Sequence, residues 1–144
     1  MPNSKTITIF LVDDDALYLK TLELEIGQNT DYIIKTFSTG ELCIENLSLK
    51  PNIIILDYHL NSIDKNAING LETLDKIKAI DAHIPVVMLS SQDKIEVAVS
   101  CMQHMATDYV VKSETAFVRL RKTITLVFLS QKMEKELNWY MERL

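Results

Sequence analysis

The sequence predicts an α/β domain: a five-stranded parallel sheet with helices on both faces and an extended C-terminal helix. Short aliphatic segments alternate with amphipathic ones five times along the chain. The third and fourth aliphatic segments are near-continuous apolar runs, as in strands covered on both faces. Right-handed crossovers between such strands distribute the intervening helices to the two sides of a parallel sheet. The 144 residues suit one domain with a single core. Residues 1–130 are expected to form it, with 131–144 extending the last helix.

In order, the first strand is TITIFLV (6–12), and the first amphipathic stretch covers roughly 15–27. Asp15 is its expected N-cap and Gly27 its expected C-cap. YIIKTF (32–37) is the second strand; Ser38 and Thr39 are candidate N-caps for a helix over 39–48. NIIILD (52–57) precedes a helix over 70–80, where Leu71, Leu74, Ile77 and Lys78 keep a three-four spacing. PVVMLS (85–90), a helix over 94–105, DYVV (108–111) and a long helix over 114–143 complete the pattern. The flavodoxin-like strand order 2-1-3-4-5 suits this doubly wound arrangement. It puts the functional crevice at the carboxyl ends of strands 1 and 3.

Composition narrows the function classes. A net charge of −5 argues against bulk nucleic-acid binding, which goes with a basic excess. No apolar run approaches the ~20 residues that span a bilayer. The opening MPNSKTITIFLV lacks a signal-peptide pattern. Cys43 and Cys101 fall in helical stretches without metal-ligand spacing, so they read as packing residues in a reducing cytosol. A cytoplasmic protein that touches neither nucleic acid nor membrane is expected.

The strand ends carry the chemistry. Strand 1 ends in Asp13, Asp14 and Asp15, and strand 3 in Asp57. These strands are neighbours in the expected order, so several carboxylates converge. Like charges at close range raise one another's pKa unless a cation offsets them. Mg²⁺, a hard ion satisfied by one or two carboxylates plus water and phosphate oxygens, suits such a place. Taken singly, each residue has a bland role: Asp15 as a helix cap, Asp13 and Asp14 as solvated acids, Ser90 and Ser91 as a turn into a helix, Lys112 as a surface lysine. For Asp15 and Ser91 that role is the preferred one. It is the set of acids, hydroxyl and lysine on one rim that chance rarely produces.

With VDDD at 12–15, PNIIILD at 51–57, PVVMLSS at 85–91 and ATDYVVK at 106–112, the chain resembles the receiver domain of two-component response regulators. The resemblance runs from residue 6 to about 130. It implies a signalling switch rather than a metabolic enzyme, one that catalyses only its own phosphorylation and dephosphorylation. Asp57 becomes the phospho-acceptor. Mg²⁺ would be held by Asp14, Asp57 and the His59 backbone carbonyl, with Asp13 acting through water. Ser90 becomes the switch hydroxyl, Lys112 the phosphate-holding cation and Tyr109 the aromatic that follows the switch; a half-buried edge aromatic is the plainer role for Tyr109. His59 and Gln92 occupy the two positions that tune acyl-phosphate lifetime. The implied donor is a sensor histidine kinase or histidine phosphotransfer protein. The implied output is binding to a downstream protein through helix 4, strand 5 and helix 5. Two other readings remain: a phosphate-independent binding module, and an aspartate-nucleophile phosphatase. The second would need an acid two residues beyond Asp57, where His59 stands.

The chain departs from the receiver pattern in two places. Asn61 replaces a proline, and Gly70 comes late, so the loop over 61–69 is several residues longer than usual. Asp64, Lys65 and Asn66 make its middle polar, and mobility is expected there. A lid or partner contact and a tolerated surface insertion are equally open. Ser113 replaces the proline that normally follows the lysine through a cis bond. A cis bond to a non-proline residue costs roughly 2.5–4 kcal/mol, so either a trans bond with a reshaped loop or a strained cis bond follows. Ser113 is also a candidate N-cap for the last helix.

Beyond residue 130, Met133, Leu137, Tyr140 and Leu144 keep a near-heptad spacing. A homodimer through this helix, or through the helix 4–strand 5–helix 5 face, is one expectation; two heptads are too few to establish it. Trp139 is either an anchor in that contact or a helix-face aromatic. Arg119, Arg121 and Lys122 read as a solvated helix face.

Overall fold

The structure, a computed structural model, describes residues 6–144. Its elements are β1 (Thr8–Val12), α1 (Ala16–Gly27), β2 (Ile33–Phe37), α2 (Gly40–Glu45), a 3₁₀ turn (Leu47–Leu49) and β3 (Ile53–Asp57). There follow α3 (Gly70–Ile80), β4 (Val86–Ser90), α4 (Ile95–Gln103), β5 (Asp108–Val111) and α5 (Ala116–Glu142). The five strands are parallel in the order β2-β1-β3-β4-β5, the flavodoxin-like order expected from the sequence.

Strand periodicity sorts the core into two layers, because successive side chains leave a strand on opposite faces. Phe10, Val12, Ile54, Leu56, Val86 and Met88 meet Leu74 and Ile77 of α3, with Cys43 and Cys101, on one face. Ile9, Leu11, Ile53, Ile55, Val87 and Leu89 meet Leu22 and Ile26 of α1 and Leu120 and Ile124 of α5 on the other. Every residue of β3 and β4 is buried, which is why those strands are apolar up to their last residues, Asp57 and Ser90. Burying each such aliphatic side chain stabilises the fold by roughly 1.5–3 kcal/mol relative to leaving it exposed.

Element ends agree with several expected caps and correct others. Asp15 caps α1 by accepting from the Leu17 and Tyr18 amides, and Thr39 caps α2 by accepting from Leu42 N. Gly27 does not act as a left-handed C-cap. It is the last helical residue, and the left-handed backbone falls on Asn29 (φ 60°). Asn tolerates that region through local hydrogen bonding. What Gly27 supplies is clearance, since a Cβ there would sit 3.1 Å from Ile34 Cδ1. α2 is shorter than expected, passing into the 3₁₀ turn that ends on left-handed Lys50. α3 opens with a capping box in which Asn69 accepts from Glu72 N and Glu72 accepts from Asn69 N.

Ser113 does not cap α5. The helix starts at Ala116 after Thr115, and Ser113 contributes its carbonyl, which accepts from Ala116 N at 3.1 Å. No peptide bond among the described residues is cis, so the Lys112–Ser113 bond is trans. Ser91 caps no helix either, because α4 begins at Ile95 after Lys94.

α5 changes character along its length. Ala116, Leu120 and Ile124 are buried, whereas Met133, Leu137, Tyr140 and Leu144 are exposed. Arg119 pairs with Asp108 and Arg121 with Glu25, each at 3.3 Å. The Arg143 guanidinium lies 3.8 Å from the centre of the Trp139 ring. A chain ending at Ser130 is expected to lose no more than about 1 kcal/mol of unfolding free energy, the scale for groups that bury little. Urea denaturation in dilute solution measures this. A larger loss would mean that 131–144 packs on the body or on a second copy.

Candidate functional site

Strand register brings the candidate residues onto one rim. Val12 pairs with Leu56, Asp57 with Leu89 and Ser90 with Val111. The residues that close or follow these strands, Asp13, Asp57, Ser90 and Lys112, therefore emerge side by side at the carboxyl edge of the sheet. Lys112 Nζ lies 2.9 Å from Asp13 Oδ2 and 3.4 Å from Asp57 Oδ1. Asp13 and Asp57 are 1% and 3% exposed, so these charges interact with little screening by water. A cavity of about 490 Å³ opens over them, lined also by Asp14, Asp15, His59 and Ser91, with Leu17 and Ile63 on its wall.

Glycine shapes the approach to the end of β3. A Cβ on Gly70 would lie 2.3 Å from the Asp57 carbonyl oxygen and 2.6 Å from Tyr58 Cα. Only a residue without a side chain lets α3 start directly beneath the strand end. Gly70 N donates to Tyr58 O at 3.0 Å, closing the long loop onto the same backbone.

Two opposing influences set the state of Asp57. Burial, then repulsion from Asp13, raise its pKa from 3.8 to about 7; Lys112 and the His59 backbone N–H pull it down. Lys112 answers in kind. Burial alone would lower its pKa, but the hydrogen bond to Asp13 and attraction to Asp57 and Asp13 outweigh it, and the net shift is upward. Asp57, Asp13 and Lys112 thus form three buried or part-buried charges of which one is unbalanced.

That imbalance is the test of fit for a divalent cation. One carboxylate oxygen from each of Asp13, Asp14 and Asp57 can be chosen so that all lie within 4.8 Å of one another. An oxygen-only donor set with excess negative charge suits Mg²⁺. Asp13 Oδ1 also accepts from Asp15 N at 2.9 Å, which fixes its orientation. The residues present fit the ion.

Ser90, Gln92 and Tyr109 form a second cluster behind the acids. Ser90 is fully buried, and its Oγ accepts from Gln92 N at 3.0 Å. The Tyr109 hydroxyl donates to the Gln92 carbonyl. Burial pushes the Tyr109 phenol pKa up, so the ring keeps its proton to donate. Lys112 N donates to Ser90 O at 2.7 Å, tying the ends of β4 and β5 together. Gln92 is therefore joined to Ser90 and Tyr109 through its backbone, while His59 lines the cavity itself.

Two features of the site were not singled out from sequence. Lys112 Nζ lies 4.3 Å from the centre of the Tyr18 ring, a cation–π contact on the lysine that also faces the acids. Tyr18 lies in the first turn of α1, just after the acidic strand end, and that nearness in sequence could have placed it beside the rim. The other is a contact made by the long loop, whose Ser62 and Ile63 amides donate to Asp14 Oδ2 at 3.0 and 3.3 Å. Backbone donors leave no mark in the residue types. The loop's polar middle is exposed and folds into a local turn. Asp64 accepts from Asn66 N through its carboxylate and from Ala67 N through its carbonyl, and Glu41 accepts from Ile68 N.

Comparison with known proteins agrees with this geometry. The response regulator receiver domain family matches residues 9–125. The protein-glutamate methylesterase/protein-glutamine glutaminase of Treponema pallidum is 31% identical over 126 residues, covering 83% of this chain and 30% of that protein. The nitrate/nitrite response regulator protein NarL of Escherichia coli is 31% identical over 114 residues, covering 78% of this chain and 50% of that one. The chain thus spans half or less of the length of these curated relatives. A response regulator receiver domain protein from Methanospirillum hungatei superposes with a TM-score of 0.74 at 20% identity, covering 90% of this chain and 99% of that one. At that identity the likeness is one of fold.

Proposed function

The chain belongs to the response regulator receiver family, and on that premise we propose that it is a phosphorylation-driven signalling switch with Asp57 as acceptor. The observation that carries the reading is the trio of Asp13, Asp14 and Asp57 carboxylates gathered on one rim, with Lys112 paired to Asp13 and Asp57.

An Asp57 carboxylate oxygen attacks the phosphorus of a donor phosphohistidine. The P–N bond breaks as the P–O bond forms, and the imidazole nitrogen leaves with the electron pair. Attack requires Asp57 ionised, which burial and Asp13 oppose and Lys112 favours. Asp14 and Asp57, with the His59 backbone carbonyl and with Asp13 through water, would hold Mg²⁺, which would supply the remaining positive charge for the phosphoryl oxygens. Lys112 neutralises a second phosphoryl oxygen from its place between Asp13 and Asp57. The product acyl phosphate adds about −1.5 to −2 charge beside the Ser90 cluster.

Ser90 then donates its hydroxyl to the new phosphoryl group. Gln92 N bonds that hydroxyl and Gln92 O bonds Tyr109, so a shift at Ser90 is passed to the β4–α4 loop and to the ring on β5. This biases a bistable element by a local charge. The output face is α4, β5 and α5, where Ile95 and Val99 on α4 are exposed apolar side chains suited to a protein partner. The donor is a sensor histidine kinase or phosphotransfer protein. Buried free thiols at Cys43 and Cys101 suit a reducing, cytoplasmic setting. Any longer-range output, such as an enzymatic or DNA-binding one, belongs to whatever this domain is joined to or binds.

Intact mass after incubation with Mg²⁺ and acetyl phosphate, or with a cognate kinase, tests the switch. One phosphoryl adduct per chain is expected in the wild type. Its failure to appear with every donor, or its persistence in Asp57→Asn, would overturn the assignment.

A further inference from the structure

The segment over 61–69 is the part of this chain that the receiver pattern does not explain. Among the described residues its hydrogen bonds to the acidic rim come from the Ser62 and Ile63 amides, both donating to Asp14 Oδ2. Among the described residues no hydrogen bond engages Asp14 Oδ1. Asp14 is only partly buried, unlike Asp13 and Asp57, so without these amides its carboxylate would be free to swing into solvent. One oxygen anchored and one free is the arrangement of a metal-ligating carboxylate supported from outside the ligand set.

The anchor is itself braced. Leu60 is buried immediately before it, the Asp64–Ala67 turn follows, and Ile68 N is held by Glu41. A loop with these restraints can hold a carboxylate at lower entropic cost than a free chain could.

We infer that the inserted loop is a positioning element of the cation site: the Ser62 and Ile63 amides hold Asp14 in its ligating orientation and so set the affinity for Mg²⁺. The inference rests on the Mg²⁺ role proposed for Asp14. It differs in sign from a latch, in which the amides would compete with the ion and loop removal would tighten binding.

The experiment is a Mg²⁺ titration of the full chain by calorimetry, with amide hydrogen exchange read in parallel. Ser62→Pro and Ile63→Pro each remove one donor to Asp14. Both are expected to bind Mg²⁺ about 10-fold more weakly, the lower end of the effect of losing an outer partner of a ligand. Lys65→Pro is the control. It occupies the second position of the Asp64–Ala67 turn, where proline is favoured, and it removes no donor to Asp14, so wild-type affinity is expected. In the phosphorylation reaction the proline variants should need more Mg²⁺ for half-maximal rate yet reach the wild-type rate at saturation. In the wild type, Mg²⁺ should slow exchange at the Ser62 and Ile63 amides.

Unchanged or tighter binding in the proline variants overturns the inference, as does faster exchange of these amides on adding Mg²⁺. If the variants lose cooperative unfolding, the wild-type exchange measurement decides alone. Wild-type protein that binds no Mg²⁺ sinks the proposed metal role and this inference together. Wild-type binding with unaffected variants sinks only the loop's part.

Discussion

Asp57→Asn is expected to form no phosphoryl adduct and yet to be more stable than the wild type at pH 8 in the absence of divalent cations. The Asp57 carboxylate is held against its preference: burial and Asp13 move its pKa from 3.8 to about 7. An unfolded chain releases that proton near the ordinary value. Between about pH 4 and 7 the native state therefore binds more protons than the unfolded one, and stability falls as pH rises through this window. Above about 7 the penalty is complete; below about 4 it vanishes. An amide at position 57 carries no charge to bury, so the variant should gain on the order of 2–4 kcal/mol at pH 8 and little at pH 4. Mg²⁺ should narrow the difference by stabilising the wild type selectively. Thermal unfolding at the two pH values, with EDTA and with Mg²⁺, measures all of this. Equal stability of the two proteins at pH 8 in EDTA would contradict the charge balance described for the rim.

Lys112→Met is expected to act in the opposite direction on stability while also disabling the chemistry. Lys112 lies between Asp13 and Asp57 and is the one cation within 4.0 Å of either carboxylate among the described residues. Its loss leaves two buried acids facing each other, at a cost of roughly 1–3 kcal/mol near pH 8. At pH 5 protonation of Asp57 relieves the repulsion, so the cost should shrink there. Phosphorylation by acetyl phosphate at saturating Mg²⁺ should slow by about 10²–10³-fold, the scale for removing one preorganised group that stabilises developing charge. Urea unfolding at pH 5 and 8 and the initial rate of adduct formation are the measurements. A wild-type rate would remove Lys112 from the chemistry and leave it a purely structural counter-ion.

The order of the elements and the face each strand buries were legible because they depend on residue type. Ile53 to Leu56 alternate between the two helical layers, and four consecutive apolar residues suit a strand covered on both faces. Asp15 and Thr39 were legible as caps because a short oxygen-bearing side chain satisfies a helix's first amides. Gly27 and Ser113 were not, although both look like helix-end residues. Gly27 answers to the nearby Ile34 side chain and Ser113 to a turn made by its carbonyl. In each case a neighbour distant in sequence, or a backbone group, took over from local preference.

The sequence by itself determined that Asp13, Asp14, Asp57, Ser90 and Lys112 share one rim of the sheet, because strand-end placement follows from hydrophobic pattern and crossover handedness. Tertiary structure alone decided how those groups act on one another. Register sets Lys112 within 3.4 Å of both acids, and burial turns Asp57 from an ordinary carboxylate into one near neutrality. The packed helices bring Tyr18 against the lysine, and a loop that reads as a polar insertion gives two backbone amides to Asp14. Charge coupling depends on distance and dielectric, and amide donors are common to every residue but proline. Neither is written in the identity of the side chains.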